Sequence, residues 1–293
     1  MRIRATLDDR IFRTVSIILV WFVVIITLYP FLFVLSSSIS DPKAVMQNKI
    51  VLFPVGFSFA AYMKVFAYPM LKTGYMNTIF YTVIGTVLNM LFTALMAYPL
   101  SRKSLIAHKY FMFIVTFTLL FSGGIIPTYL VVKEMGLIDT RWALIIPTLI
   151  STWNLILLKS FFENIPKELE EAATIDGCSQ LQILFKIIIP LSVPAMATLS
   201  LFYAVTHWNA FFDAILYLSN QNLHPIQIFL RNIVIDSQTA EILEGSAKSV
   251  DDLILTESVK YATIMAVAMP IIVVYPFIQK HFVKGIMIGS LKG

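Results

Sequence analysis

Cysteine is almost absent from this sequence. The single thiol, Cys178, can close no intrachain disulfide, so the fold does not depend on an oxidising compartment. Charge is scarce too: Asp, Glu, Lys and Arg supply 13% of the 293 residues, about half the share usual in a soluble domain. Hydrophobic residues supply 58% and mean hydropathy is +0.81. So few charged residues cannot cover the core that so many apolar side chains would build in water. Lipid removes the difficulty by solvating an apolar exterior. The four histidines (His108, His207, His224, His281) show no metal-ligand spacing, and neither they nor Cys178 make a nucleophile–base pair. No Gly-rich phosphate loop occurs, so the chain is not expected to hydrolyse ATP itself. What the composition leaves is a membrane protein that is not an enzyme.

What is present is a series of long apolar runs. A helix needs ~20 mostly apolar residues to cross the hydrocarbon core. Six stretches meet that length, at about 15–35, 76–99, 110–132, 142–162, 190–217 and 261–279. The expected fold class is an all-α polytopic membrane protein with six transmembrane helices. The first run is too long for a signal-peptide core and has no Ala-x-Ala site after it, so an uncleaved span is expected. Prolines near the ends of several runs mark kinks, tolerable where neighbours satisfy the freed carbonyls.

Orientation follows from Lys and Arg, which also account for the net charge of +5 without nucleic acid as a partner. Arg2, Arg4, Arg10 and Arg13 precede the first span, Arg102, Lys103 and Lys109 follow the second, and Lys280, Lys284 and Lys292 lie in the tail. These three segments belong on the cytoplasmic side, so residues 1–14, 281–293 and the loop 163–189 are expected there. The segment 218–260, with Asp236, Glu241, Glu244, Asp251, Asp252 and Glu257, is expected to be an external loop. Its start, His224-Pro225-Ile226-Gln227, is a candidate contact for a binding protein, and a plain solvated loop is the alternative.

The loop 163–189 carries the clearest punctuation. Pro166 suits a first helical turn, and Glu168, Glu170 and Glu171 complement the helix dipole. Asp176-Gly177 reads as a helix stop, and Ser179 with Gln182 as a capping box that starts a second helix. Ile165, Leu169, Ala172, Ala173 and Asp176 recur at helical spacing. Such a stripe suits a helix lying on headgroups. Interfacial helices are usually rich in Lys and Arg, however, and the acidity of this one favours a protein partner.

Glu171-Ala172-Ala173, three residues, Gly177, nine residues, Ile187, one residue and Ile189-Pro190 resembles the signature loop of ABC-importer permeases. One position departs, Ile189 where Leu is usual. The tail from Gln279 to Gly293 is similar to that of carbohydrate permeases of the maltose G-subunit type. So are Ile126-Pro127-Thr128-Tyr129, Gly136-Leu137-Ile138-Asp139-Thr140 and Trp208-Asn209-x-Phe211. The resemblance covers the whole chain and looks closest to oligosaccharide permeases of Bacillus-like bacteria. It implies a type I ABC importer permease fold, with residues 76–280 as the permease core. It also implies a second homologous permease, two ATPase subunits that bind ATP and Mg, an extracellular or periplasmic solute-binding protein, and a carbohydrate substrate. No cofactor is implied in this chain. Glu171 would be the polar anchor to the ATPase, Ala172 and Ala173 its close-contact surface with Asp176 beside them, and Gly177 the turn that sets the helix angle.

Polar residues inside spans are candidates by default. His207, Trp208, Asn209 and Asp213, with Asn89 and Asn154, form a candidate sugar path; hydrogen bonding between helices is the competing reading. Trp153 reads as packing or as a boundary anchor. An ion-coupled secondary transporter or channel is the alternative class. It would be expected to show a proton relay, an ion site or inverted repeats, and apart from Asp213 no acid lies well inside an expected span.

Overall fold

The computed structural model describes residues 7–242 and 250–290, which are helical apart from loops and one isolated bridge, Ser40 to Phe57. The chain divides into two compact units, Met1–Pro69 with Leu230–Met269, and Met70–Phe229 with Pro270–Gly293.

In the first unit α1 (Leu7–Ser38) leads into the short helices α2 (Pro42–Met46) and α3 (Ala60–Ala67). The apolar side chains of α1 are exposed nearly all round, with Trp21 at 63%. A helix apolar on every face belongs against lipid or other membrane-spanning helices. Its C-terminal serines are spent on the chain that follows: Ser36 Oγ donates to the Leu52 carbonyl at 2.6 Å, and Tyr62 Oη donates to Ser38 Oγ at 2.9 Å. The Asp41 carboxylate caps α2 through the Lys43 amide at 2.8 Å, with Pro42 in the first turn.

The second unit is built on α4 (Pro69–Leu100), followed by α5 (His108–Leu120) and α6 (Ile125–Glu134). The last two are bent through 117° at Gly124, which sits at φ +83°. After a 3-10 turn at Arg141–Leu144 come α7 (Thr152–Glu163), α8 (Lys167–Ile175) and α9 (Gln180–Ile183), then a π-turn at Leu184–Ile188. From there α10 (Ile189–Leu191), α11 (Val193–Trp208) and α12 (Phe212–Tyr217) lead to a 3-10 turn at Gln221–Leu223. Two further helices, α13 (Ile226–Ile242) and α14 (Val250–Ser290), run through the boundary between units.

Among the described residues three helical segments are long and apolar enough to cross a membrane: Asp8–Ser38, Pro69–Leu100 and Thr256–Pro276. Counting each bent pair as one span brings the number to five, the second pair being Gln180–Leu191 and Val193–Trp208, bent by 86°. The remaining apolar stretch, 142–162, is assembled from the Arg141–Leu144 turn and the 12-residue α7, with Pro147 between them. The break is satisfied locally: fully buried Asn89 of α4 donates from Nδ2 to the Thr148 and Leu149 carbonyls at 2.7 and 2.8 Å. The expected span 190–217 is likewise divided, because helix lapses between Trp208 and Phe212.

The segment expected as one external loop, 218–260, is largely helical. Its start is tied back to α4: Asn77 Nδ2 donates to the Asn222 and His224 carbonyls, and the Ile226 amide donates to Thr78 Oγ1 at 2.8 Å. Gly74 makes the approach feasible, since a Cβ there would stand 3.1 Å from the Ile226 Cα. His224-Pro225-Ile226-Gln227 is thus anchored rather than free to reach outward. Glu244 lies outside the described residues.

The Gly136–Thr140 segment is architectural. Gly136 and Asp139 adopt φ +68° and +59°, and the Asp139 carboxylate accepts from the Ser219 and Asn220 amides at 2.6 and 2.8 Å. Tyr129 of the Ile126–Tyr129 motif stacks on Tyr217, with ring centroids 6.2 Å apart.

Candidate functional site

Helix α8 stands between α7 and α9 as a separate short lever. Pro166 occupies its N-cap, and Glu168 and Glu170 lie in its first turn. Asp176 ends it and Gly177 turns the chain at φ +81°, with the Gly177 and Cys178 amides closing on the Thr174 and Ala173 carbonyls at 3.0 and 2.9 Å. Both halves of the capping box are formed: the Ser179 amide donates to Gln182 Oε1 at 2.8 Å and the Gln182 amide to Ser179 Oγ at 3.4 Å.

The lever has two faces, and they do not follow the stripe expected from sequence. Ile165 and Ala173 are buried in a core with Tyr98, Phe162, Ile183 and Ile188. Ala173 therefore packs inward and is not part of an outer contact surface. Glu168, Glu171, Ala172, Ile175 and Asp176 share the outward face at i, i+3, i+4, i+7 and i+8. Ile175 is 87% exposed, a large apolar side chain beside a small alanine and two carboxylates. Helical spacing of apolar residues did not single it out, because it lies outside the inner stripe.

What fixes the lever is a pair that sequence reading passed over. Glu170 forms an ion pair with Arg102, just beyond the end of α4, and the two side chains are only 14% and 16% exposed. Arg102 lies over the Tyr98 ring, 5.1 Å from its centroid, and its Nη1 donates to the Phe162 carbonyl at 3.4 Å. Tyr98 Oη donates to Gln180 Oε1 at 2.9 Å, with Glu170 Oε2 at 3.4 Å. One cluster thus binds both helices of the loop to α4.

The four residues of the candidate sugar path are not brought together. His207 is buried and bonds from Nε2 to Asn89 Oδ1 at 2.6 Å. Asn89 already donates its amide to two carbonyls, so its oxygen accepts and His207 Nε2 carries the proton. A Cβ on Gly85, one turn before Asn89, would stand 2.5 Å from that nitrogen, so glycine there makes room for the ring. Trp208 faces another side, with its ring centroid 6.4 Å from Tyr75. Asn209 closes α11, donating to the Val205 carbonyl at 2.9 Å and accepting from Gln227 at 3.1 Å. Asp213 starts α12, where it complements the dipole. His207 instead meets Asn154, Tyr203 and Trp153 around a cavity. Tyr203 Oη there accepts from the Ser151 amide at 3.0 Å and shares a 2.8 Å hydrogen bond with Thr93.

Comparisons with known proteins extend this picture. The model of the family described as "Binding-protein-dependent transport system inner membrane component" matches residues 5–288. The chain is 48% identical over 274 residues to the polygalacturonan/rhamnogalacturonan transport system permease protein YtcP of Bacillus subtilis (strain 168), covering 92% of this chain and 94% of that one. It is 42% identical to protein LplC of the same organism, over 98% and 97% of the two chains. Among solved structures it is similar to a chain of a bacterial ABC transporter involved in the import of the acidic polysaccharide alginate. That match has a TM-score of 0.84 and 37% identity, and covers 94% of this chain and 98% of that one.

Proposed function

This chain belongs to the family of binding-protein-dependent transport system inner membrane components, and we propose that it serves the import of an acidic oligosaccharide. It is a permease subunit of an ABC importer of carbohydrate and not an enzyme; ATP hydrolysis belongs to a partner ATPase, and the importer works with a binding protein. The acidic character of the cargo rests on two relatives, one a polygalacturonan/rhamnogalacturonan permease and the other part of an alginate importer. Galacturonan and alginate are both polymers of uronate.

The observation that carries the mechanism is the outward face of α8. Glu171 and Asp176 offer charge to a basic partner, Ala172 allows close approach, and Ile175 supplies apolar area of the kind that anchors an interface. In this reading α8 sits in a groove of the ATPase, with Gly177 setting its angle, and the two ATPase subunits hold ATP and Mg. A second homologous permease completes the membrane pore, and both termini of this chain lie in the cytoplasm. Closure of the ATPase dimer on ATP draws the levers together and rocks the two bundles about a central path.

The test is reconstitution of the complete transporter in proteoliposomes. Binding protein loaded with uronate oligomers should stimulate ATP hydrolysis and uptake; stimulation by neutral sugars alone would overturn the acidic cargo. Glu171→Ala should weaken retention of the ATPase by about 1–3 kcal/mol, the worth of a hydrogen bond to a charged group. Unchanged co-purification would remove Glu171 from the docking surface.

A further inference from the structure

From Pro42 to Pro69, between α1 and α4, the chain carries three lysines, Lys43, Lys49 and Lys64, and no Asp or Glu. In the orientation proposed above this segment is external, where the positive-inside rule does not account for lysine. Interleaved with the lysines is an apolar patch: Phe53, Phe57, Phe59, Met63 and Phe66 are 62% to 75% exposed. Helix α3 has two apolar faces. Ala61 and Val65 are buried, whereas Phe59, Met63 and Phe66, at i, i+4 and i+7, are open. Tyr62 stands between the Phe59 and Phe66 rings, 6.4 Å from each by centroid. Large apolar side chains left open in a cluster mark a contact surface.

The height of the patch is set by α1. As a helix, the apolar run from Val15 to Leu35 spans roughly 31 Å at about 1.5 Å per residue, the thickness of a hydrocarbon core. Ser36, Ser38 and Ser40 therefore stand at the headgroup boundary, and the patch is tied to them. Leu52 and Tyr62 bond Ser36 and Ser38, the Val55 amide donates to Ser40 Oγ at 3.1 Å, and the Ser58 amide donates to the Ile39 carbonyl at 3.0 Å. Phe53 follows Leu52, and Phe59 and Phe66 flank Tyr62, so the rings lie at that level. Lysine is depleted where one protein packs on another. A headgroup layer accepts both parts, because rings sink below the phosphates while lysine stems reach back to them.

We propose that residues 51–66, with Lys43 and Lys49 beside them, form an interfacial anchor for anionic phospholipid in the leaflet where α1 ends. Phe53, Phe57 and Phe66 enter the upper acyl region, and the lysines pair with the phosphates of a lipid such as phosphatidylglycerol. The Asp41 carboxylate, the nearest acid in sequence, is occupied in capping α2. The anchor fixes the height of the first unit in the bilayer without a protein contact.

The test uses the complete transporter in nanodiscs containing phosphatidylglycerol, with the partner subunits freed of cysteine. Cys178→Ser removes the only native thiol of this chain, and Phe66→Cys or, separately, Phe53→Cys then carries a fluorophore. Lipid with a nitroxide high on the acyl chain should quench it at least threefold more than lipid labelled near the chain end. Aqueous iodide should quench it at least threefold less than it quenches the free dye. Exchanging phosphatidylglycerol for phosphatidylcholine, or combining Lys43→Gln, Lys49→Gln and Lys64→Gln, should at least double the iodide quenching. Iodide quenching equal to that of the free dye overturns the anchor. So does shielding from iodide without quenching by lipid, which would place a partner permease or the binding protein on the patch. Iodide quenching that ignores both charge changes overturns the anionic lipid as occupant. Nanodiscs expose both leaflets, so these outcomes are separate from failure of the orientation proposed above.

Discussion

Removing Arg102 or Glu170 should loosen the lever without touching its outer face. Both side chains are about five-sixths buried, so the charge-assisted bond between them is not diluted by bulk water. Breaking a fully buried pair by deleting one partner costs about 3–5 kcal/mol. Here each survivor keeps a second contact: Glu170 lies near Tyr98 Oη, and Arg102 keeps the Tyr98 ring and the Phe162 carbonyl. A single change to alanine should therefore cost about 2 kcal/mol, or roughly a thirtyfold shift in a local equilibrium. The assay is hydrogen exchange of the α8 amides in the assembled transporter, which reads local opening. Arg102→Ala and Glu170→Ala should each speed exchange of the Glu171–Cys178 amides roughly thirtyfold. The double variant should be little faster than either, and sugar moved per ATP should fall in all three. Effects that add to within about 0.5 kcal/mol, or single effects under threefold, would refute the clasp.

Three further outcomes follow from local geometry. Gly85→Ala drives a Cβ to 2.5 Å from the His207 ring and should destabilise the purified protein by about 1–3 kcal/mol, read as a fall in unfolding temperature in detergent. Tyr203→Phe leaves the Ser151 amide without its acceptor and should cost about 1–3 kcal/mol in the same measurement. At Gly177 a Cβ would meet nothing within 4 Å, so the penalty is the left-handed backbone alone, about 1–2 kcal/mol for valine and less for asparagine. Gly177→Asn should retain uptake, whereas Gly177→Val should insert normally and lose it, because a bulky side chain alters both the turn and the docking surface.

Local rules are the ones the sequence exposes. Gly177, the capping box of Ser179 and Gln182, and the boundaries of α8 depend on neighbours three or four residues apart, and each can be read from spacing. The Arg102–Glu170 clasp joins positions 68 residues apart. Glu170 and Glu171 are adjacent and chemically identical, so no local signal says which turns inward. Hydropathy measures composition rather than continuity, which is why 142–162 reads as one run although Pro147 and Asn89 divide it and heal the break. The 218–260 segment reads as a loop because it is polar, yet polarity does not forbid a helix, as α13 shows. Trp153 and Trp208 look alike in sequence, and only the direction of each helix face places the first at a cavity and the second in packing.

The π-turn at Leu184–Ile188 lies between the lever and the membrane helix that follows. An α-helix advances about 100° of azimuth per residue, and a π-turn accommodates an extra residue without interrupting the helix. It therefore acts as a phase shifter, setting the compass bearing of α8 and α9 relative to α11. Forcing the same five residues into ordinary α-turns would leave the extra residue unabsorbed and swing the lever by roughly 100°. Every docking residue would still be present, aimed at the wrong bearing.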